Sequence, residues 1–269
     1  MPAEASGRER DAVARVTPSR RTDRGSPRTA VVWGALIRTI ESRSASGRGG
    51  ALAIVDLGGG TGGFAVPLAG LGHEVTVVDE SPDALATLER RAAEHGVRVR
   101  AVQGDAGDLE SVVGAGAVDL VLCHSVLEYV DVPAEVLRTV HAALRPGGAV
   151  SVLAANRTAA IVHRALGGRF GEARHALGDP DGRWGPGDPV PHRFALGELT
   201  RLLTEAGFAP GDAHGVPVFA DLVPGGVADG EPGAAEALLD LERAAAEHPE
   251  LRALATQLHV LALRPDAHV

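Results

Sequence analysis

A doubly wound α/β fold with a mostly parallel sheet is predicted by three features of the 269-residue sequence. Strand and helix signals alternate without a break from Ala51 to Ala154. Strand candidates such as ALAIVDL and AVDLVLC are apolar almost throughout, as strands covered on both faces are. A glycine-rich run, Gly58-Gly59-Gly60-Thr61-Gly62-Gly63, follows the first of them. Open α/β sheets bind ligands beyond the carboxyl ends of their strands, at such a turn.

Each element has its own signal. Thr29–Ser42 spaces Val32, Ala35, Leu36 and Ile40 along one helical face, and Ser42–Gly50 reads as a linker. Strands are expected at Ala51–Leu57, Glu74–Asp79, Val97–Val102, Val118–Cys123 and Ala149–Ala154. Helical patterns lie between them at Gly62–Leu71, Pro82–Glu94, Asp108–Val113 and Pro133–Ala143. Beyond the fifth strand the pattern loosens. The stretch 156–194 is rich in Gly, Pro, Arg and His and is too long for an ordinary connection. An amphipathic helix, Leu196–Ala206, ends at Gly207. Strand signals return at Gly215–Ala220 and Gln257–Leu263, around a loop at Asp221–Pro232 and a helix at Ala234–Glu247. This organisation predicts one domain over 29–269 with cap insertions near 156–194 and 221–248. The leader, 1–28, has no apolar periodicity and is expected to be disordered unless a cofactor orders it.

Composition narrows the function. Apolar residues make up 45% of the chain and aromatic ones 3%, so Leu, Val and Ala must fill the core. No apolar run approaches the roughly 18–20 residues of a membrane span, and the N-terminus lacks the apolar segment of a secretory signal. The single cysteine, Cys123, excludes an internal disulfide and suits a reducing compartment, so a cytoplasmic location is expected. All 26 basic residues are arginine, and the net charge is −9. The first fifty residues hold ten arginines against five acids, so the remainder is more acidic still. Such a molecule repels a polyanion at long range, and a nucleic acid would have to meet a local basic patch.

The strongest chemistry lies in Val55-Asp56-Leu57-Gly58-Gly59-Gly60-Thr61-Gly62-Gly63. Glycines after a buried strand let backbone and cofactor approach without an intervening Cβ. Gly58, Gly60 and Gly63 satisfy G-x-G-x-x-G, and Asp79 follows at the distance of a ribose-binding acid. On these features alone a nicotinamide or flavin dinucleotide is an open alternative. Asp56 argues against it: a carboxylate directly before the glycines repels pyrophosphate but favours the ammonium and sulfonium of S-adenosyl-L-methionine. Gln103-Gly104-Asp105-Ala106 closes the third strand with an acid able to accept the adenine amino group. Leu144-Arg145-Pro146-Gly147-Gly148 joins the fourth helix to the fifth strand. The competing reading is that Asp79 and Asp105 merely cap the helices that follow them.

Taken in order, these segments resemble the class I S-adenosylmethionine-dependent methyltransferases. The resemblance implies a Rossmann-like, seven-stranded, mostly parallel sheet with a helical cap. It implies a cofactor site at Asp56, Gly58, Gly59, Gly60, Asp79, Asp105 and Ala106, with Asp79 on the ribose hydroxyls and Asp105 beside the adenine. Cys123-His124-Ser125-Val126-Leu127-Glu128-Tyr129-Val130 is similar to a segment of the bacterial tRNA 5-carboxymethoxyuridine methyltransferases, which esterify a wobble uridine. Further echoes are Arg28–Trp33, Gly215–Phe219, Leu238–Glu242, Leu258–Val260 and Arg264-Pro265. This closer resemblance implies that Arg28 reaches the methionine carboxylate and that His124 lines the cofactor pocket. A general-base role for His124 is the weaker reading, because a carboxylate acceptor is already ionised at neutral pH.

The family's basic residues are missing at Pro217 and at Thr256 or Gln257, and its lysine-rich run is thinned at 182–187 to Arg183 alone. What remains is Arg157, Arg164, Arg169, Arg174, Arg183 and Arg193, with His163, His175 and His192. These form either a solvated face or a funnel for an anionic substrate, in which Asn156, Arg157 and Arg164 would touch the acceptor. Methyl transfer to an oxygen or nitrogen, possibly a carboxylate, is expected. The acceptor is tRNA or a small molecule, and a third alternative is a cofactor-binding protein with non-methylating chemistry. No metal is expected.

Overall fold

The computed structural model describes residues 26, 28–43, 50–224 and 232–266. The leader up to Gly25, most of the Ser42–Gly50 linker and much of the Asp221–Pro232 loop lie outside the described residues. Helix α1 (Ala30–Arg43) is followed by β1 (Ala53–Leu57), α2 (Ala65–Gly70), β2 (Glu74–Asp79), α3 (Pro82–Glu94), β3 (Arg100–Gln103), α4 (Leu109–Val113), β4 (Val118–His124), α5 (Pro133–Ala143) and β5 (Leu144–Ala155). Then come α6 (Arg157–Leu166), α7 (Phe170–Gly178), α8 (Leu196–Glu205), β6 (Ala209–Val216), α9 (Ala234–Ala246), α10 (Pro249–Arg252) and β7 (Gln257–Leu263). No helix among the described residues is long and apolar enough to cross a membrane.

The strands form one seven-stranded sheet in the order β3-β2-β1-β4-β5-β7-β6. Strands β1 to β5 pair in parallel, and β7 runs antiparallel between β5 and β6. Alternate side chains of each central strand enter different cores. Val55, Leu57, Val121 and Cys123 pack with Leu137 and Val140 of α5 and Leu199 and Leu203 of α8. Ile54, Leu120 and Leu122 pack on the opposite face with Leu36 of α1 and Leu88 of α3. Burial on both faces is what makes these strands continuously apolar in sequence.

Helix starts follow local chemistry. The Ser81 hydroxyl accepts the Ala84 N–H at 3.2 Å and Pro82 occupies the first turn of α3. The Leu144–Gly148 turn lies within β5. Between the pairs Val118↔Leu144 and Leu120↔Ala149, β4 advances two residues and β5 five, so the turn bulges outward. Arg43 and Arg145 pair with Asp119 beneath it, at 3.3 and 2.6 Å.

One expectation needs correction. The sixth strand spans Ala209–Val216 and not Gly215–Ala220. Its Pro, Gly and Asp content conceals it, since an edge strand tolerates residues that an interior strand does not. Val218, Phe219 and Ala220 leave the sheet because their N–H groups donate to the buried Glu242 carboxylate at 2.7, 2.8 and 2.6 Å. The stretch after Asn156, expected to form a helical cap, folds α6 and α7 against each other.

Candidate active site

The glycine turn after β1 is shaped by conformations that favour glycine. Gly58 and Gly60 have φ of 66° and 52°. A Cβ on Gly58 would meet Val126 Cγ2 at 2.6 Å, and one on Gly59 would meet the Asp56 carboxylate carbon at 2.6 Å. Asp79 ends β2 and holds the turn: Oδ2 accepts the Gly60 N–H at 2.8 Å and Oδ1 accepts the Ser81 N–H at 2.9 Å. It does not cap α3, a task that falls to Ser81. Each Asp79 oxygen keeps a lone pair for a ligand hydroxyl.

Above this turn lies a crevice of about 290 Å³, whose lining includes Gly58, Asp79, Glu80, Ala106, Val126 and Tyr129. One edge carries the acids Asp79 and Glu80, and small apolar residues and the Tyr129 ring complete a mixed wall that suits a nucleoside. Ala106 lines it, as expected. The Asp105 side chain is exposed and accepts the Gly107 N–H at 2.9 Å as part of a capping box with Asp108. The capping reading thus describes Asp105 and fails for Asp79.

Asp56 is buried beneath the turn. Desolvation pushes its pKa up to about 7, and the neighbouring Asp79 charge adds to the rise. A cation arriving beside it would restore ionisation, so the residue fits a sulfonium and ammonium ligand. The residues present therefore fit S-adenosylmethionine.

His124, at the end of β4, packs edge-on against Phe64, with centroids 4.9 Å apart. Burial pushes its pKa down to about 3, so the ring is neutral. His124 Nε2 lies 2.8 Å from Ser151 Oγ, which lies 2.8 Å from His259 Nε2. The Nδ1 atoms of His259 and His214 are 3.2 Å apart, and His214 Nε2 reaches the exposed Glu247 at 3.5 Å. A polar chain thus crosses β4, β5, β7 and β6. Sequence gave no sign of it, because its members are separated by tens of residues.

Beside the crevice, and sharing Ser125 and Tyr129 with it, is a second cavity of about 350 Å³ under α6. Ser125 has φ of 54°, the one positive value outside glycine among the described residues. Strain of this kind concentrates at functional sites. Gln257 Nε2 donates to the Ser125 hydroxyl at 2.8 Å. The cavity also takes in Glu128, Asn156, His163, Arg164, Trp184 and Arg193. The Arg164 guanidinium stacks 3.9 Å above the Trp184 ring. Glu128 and Trp184 were not singled out by sequence. Glu128 follows β4 within the Cys123–Val130 segment, where sequence alone assigns it no role, and Trp184 is one of two tryptophans in an aromatic-poor chain.

Three of the six cap arginines are committed within the protein. Arg157 pairs with Glu198 at 2.8 Å, Arg164 with Glu172 at 2.9 Å, and buried Arg193 holds Asp188 through two hydrogen bonds of 2.6 and 2.9 Å. Asn156 is a buried cap: Oδ1 accepts the Thr158 N–H at 3.1 Å and Nδ2 donates to Ala253 and Ala255 carbonyls. Arg28 pairs with Asp221 at 2.6 Å. No metal-binding cluster occurs among the described residues.

Comparison with known proteins agrees with this geometry. Residues 54–148 match the family described as a methyltransferase domain. The chain is 29% identical over 252 residues to the tRNA 5-carboxymethoxyuridine methyltransferase of Escherichia coli K12, covering 91% of each. It is 39% identical over 107 residues to the ubiquinone biosynthesis O-methyltransferase of Caulobacter vibrioides, covering 40% of this chain and 42% of that one. Among solved structures, an S-adenosylmethionine dependent methyltransferase from Mesorhizobium loti superposes with a TM-score of 0.58 at 25% identity. That match covers 89% of this chain and all of the other. With this class I Rossmann-like fold, this glycine turn and the matched methyltransferase domain, the chain is an S-adenosylmethionine-dependent methyltransferase.

Proposed function

We propose that the enzyme methylates an oxygen or nitrogen on a small ring-bearing molecule held in the cavity under α6. The observation that carries this reading is that the arginines lining the cavity, Arg164 and Arg193, and Arg157 beside them at the start of α6 are already paired. Arg157, Arg164 and Arg193 each face a carboxylate of the protein itself. A phosphate backbone gains its affinity from cations free to replace its counterions, and the net charge of −9 opposes it at long range.

In this reading the methionine end of the cofactor lies over Gly58–Gly60 near Asp56, its ribose on Asp79, and its base beside Ala106 and Asp105. Arg28 exchanges Asp221 for the ligand carboxylate, and His124 closes the pocket through its fixed, neutral ring. Bound S-adenosylmethionine supplies a methyl carbon on a cationic sulfur. The chain's contribution is position: strained Ser125 and Tyr129 border both spaces, so the acceptor meets the cofactor across them. The cap over 156–194 and the single domain over 29–269 shelter that meeting point from water.

A second reading, esterification of a tRNA wobble carboxylate, is favoured by the end-to-end similarity to the Escherichia coli enzyme. Purified enzyme offered bulk tRNA lacking the wobble ester, beside a panel of phenols and carboxylic acids, separates the two. Turnover of a small acceptor without incorporation into tRNA at low salt supports the first. Alkali-labile incorporation into tRNA supports the second.

A further inference from the structure

Two buried polar atoms without a hydrogen-bond partner, Glu128 Oε2 and His163 Nε2, belong to residues lining the same cavity. Buried polar groups are nearly always satisfied, so a pair of exceptions in one cavity points to a ligand that completes them. The Glu128 residue is 3% exposed. The cations nearest to it are spent elsewhere, Arg193 on Asp188 and Arg164 on Glu172. Desolvation pushes the Glu128 carboxyl up to about 7, against hydrogen bonds from the Glu128 and Ala155 backbone, the charge of Arg193 and the Ser125 side chain, which pull the other way. A carboxyl group poised there is charged in part of the population and able to take a proton at neutral pH.

Resting on the reading of this cavity as the acceptor site, we propose that Glu128 is the general base of the reaction and that the acceptor is a neutral ring-borne O–H or N–H and not a carboxylate. The acceptor's O–H or N–H bond breaks and its proton passes to the Glu128 carboxylate. The freed lone pair forms the new bond to the methyl carbon, and the electron pair of the methyl–sulfur bond stays on sulfur as a neutral thioether. Glu128 returns its proton to solvent when product leaves. A carboxylate acceptor has no proton to give and brings a second negative charge against Glu128, while the two arginines of the cavity lining, Arg164 and Arg193, are held by Glu172 and Asp188. His163 Nε2 completes the polar edge that the acceptor's ring must match. Tyr129, 57% exposed at the boundary of the two spaces, and Trp184 offer that ring its faces.

The test uses 4-methylphenol, which stays un-ionised at pH 8, and benzoate as ring probes that differ in the polar group, with S-adenosylhomocysteine bound and calorimetric titration as readout. Wild type is expected to bind 4-methylphenol, and to bind benzoate about tenfold or more weakly at pH 8 than Glu128→Gln does, because the substitution removes the like charge. Methyl transfer to 4-methylphenol should rise with pH through about 7 in wild type. It should fall by about a hundredfold or more in Glu128→Gln with the pH dependence lost and KM kept. Glu128→Asp should restore part of the slope. Unchanged S-adenosylhomocysteine affinity shows that each variant is folded. Ala160→Trp, which fills the cavity, tests the site itself. If it leaves probe binding intact, or if neither probe binds wild type, the acceptor-site reading and the base both fall. If it abolishes binding but Glu128→Gln changes neither benzoate affinity nor the pH profile, the site stands and the assignment of Glu128 is overturned.

Discussion

Asp79 Oδ2 accepts the backbone N–H of Gly60 at 2.8 Å, so the carboxylate that ends β2 also closes the glycine turn that follows β1. One side chain therefore shapes the cofactor crevice and presents the acceptor group within it. Asp79→Ala should weaken S-adenosylmethionine binding by about 1.5–3 kcal/mol, as expected for hydrogen bonds to a charged group. Calorimetric titration measures it, and an unchanged affinity would remove Asp79 from the site.

Asp56 makes cofactor binding depend on pH. Its pKa is raised from 3.8 to about 7, so between these values the folded protein holds a proton that the unfolded chain releases. This group's contribution to stability is full below pH 3.8 and is lost as pH rises through 7. A cationic ligand favours the ionised form, so S-adenosylmethionine should bind more tightly at pH 8 than at pH 6 and release protons on binding. S-adenosylhomocysteine, without the sulfonium, should show a shallower dependence. Titrations in buffers of different ionisation heat count the protons, and zero release at pH 6.5 would contradict the assignment.

The chain from His124 to Glu247 predicts acid sensitivity. Burial holds His259 well below its ordinary 6.5, and lowers His214 as well. Below pH 6.5 the unfolded chain takes up protons that the folded chain refuses, so stability falls with pH there. His259→Asn should reduce that slope by about 1.4 kcal/mol per pH unit, the value for one proton. Urea unfolding between pH 6.5 and 5 checks this, and an unaltered slope would show that His259 titrates normally in the fold.

Glu242 is fully buried and accepts the N–H groups of Val218, Phe219 and Ala220. Glu242→Ala should cost about 3 kcal/mol, since it strands buried donors. A denaturation midpoint close to wild type would mean that this segment finds other partners at no cost.

The legible part of the molecule was the part governed by local rules. Continuous apolar runs marked β1 and β4 because both faces are buried, and Ser81-Pro82 marked the start of α3 to the residue. The acids Asp56 and Asp79 were readable because each lies at or one residue before the end of a strand beside the glycine turn, Asp79 on the crevice and Asp56 buried beneath the turn. What escaped depends on contacts distant in sequence. Arg157, Arg164 and Arg193 looked free because Glu172, Glu198 and Asp188 come to face them only after α6, α7 and α8 pack. Glu128 gave no sign of its burial, which depends on the cap folding over the end of β4. The echoes at Glu242 and Arg264 turn out to be structural: Arg264 Nη1 donates to the carbonyls of His141, Ala142 and Leu144 at the end of α5.

The central claim, methyl transfer to a small ring-bearing acceptor, is tested most directly by tracing a labelled methyl group. Extract from cells lacking this enzyme would be incubated with the purified protein and methyl-labelled S-adenosylmethionine, then separated into RNA and small-molecule fractions. The account predicts label in the small-molecule fraction, dependent on Asp79 and resistant to mild alkali because the bond formed is an ether or amine. Label recovered in the RNA fraction and lost on mild alkali would contradict it.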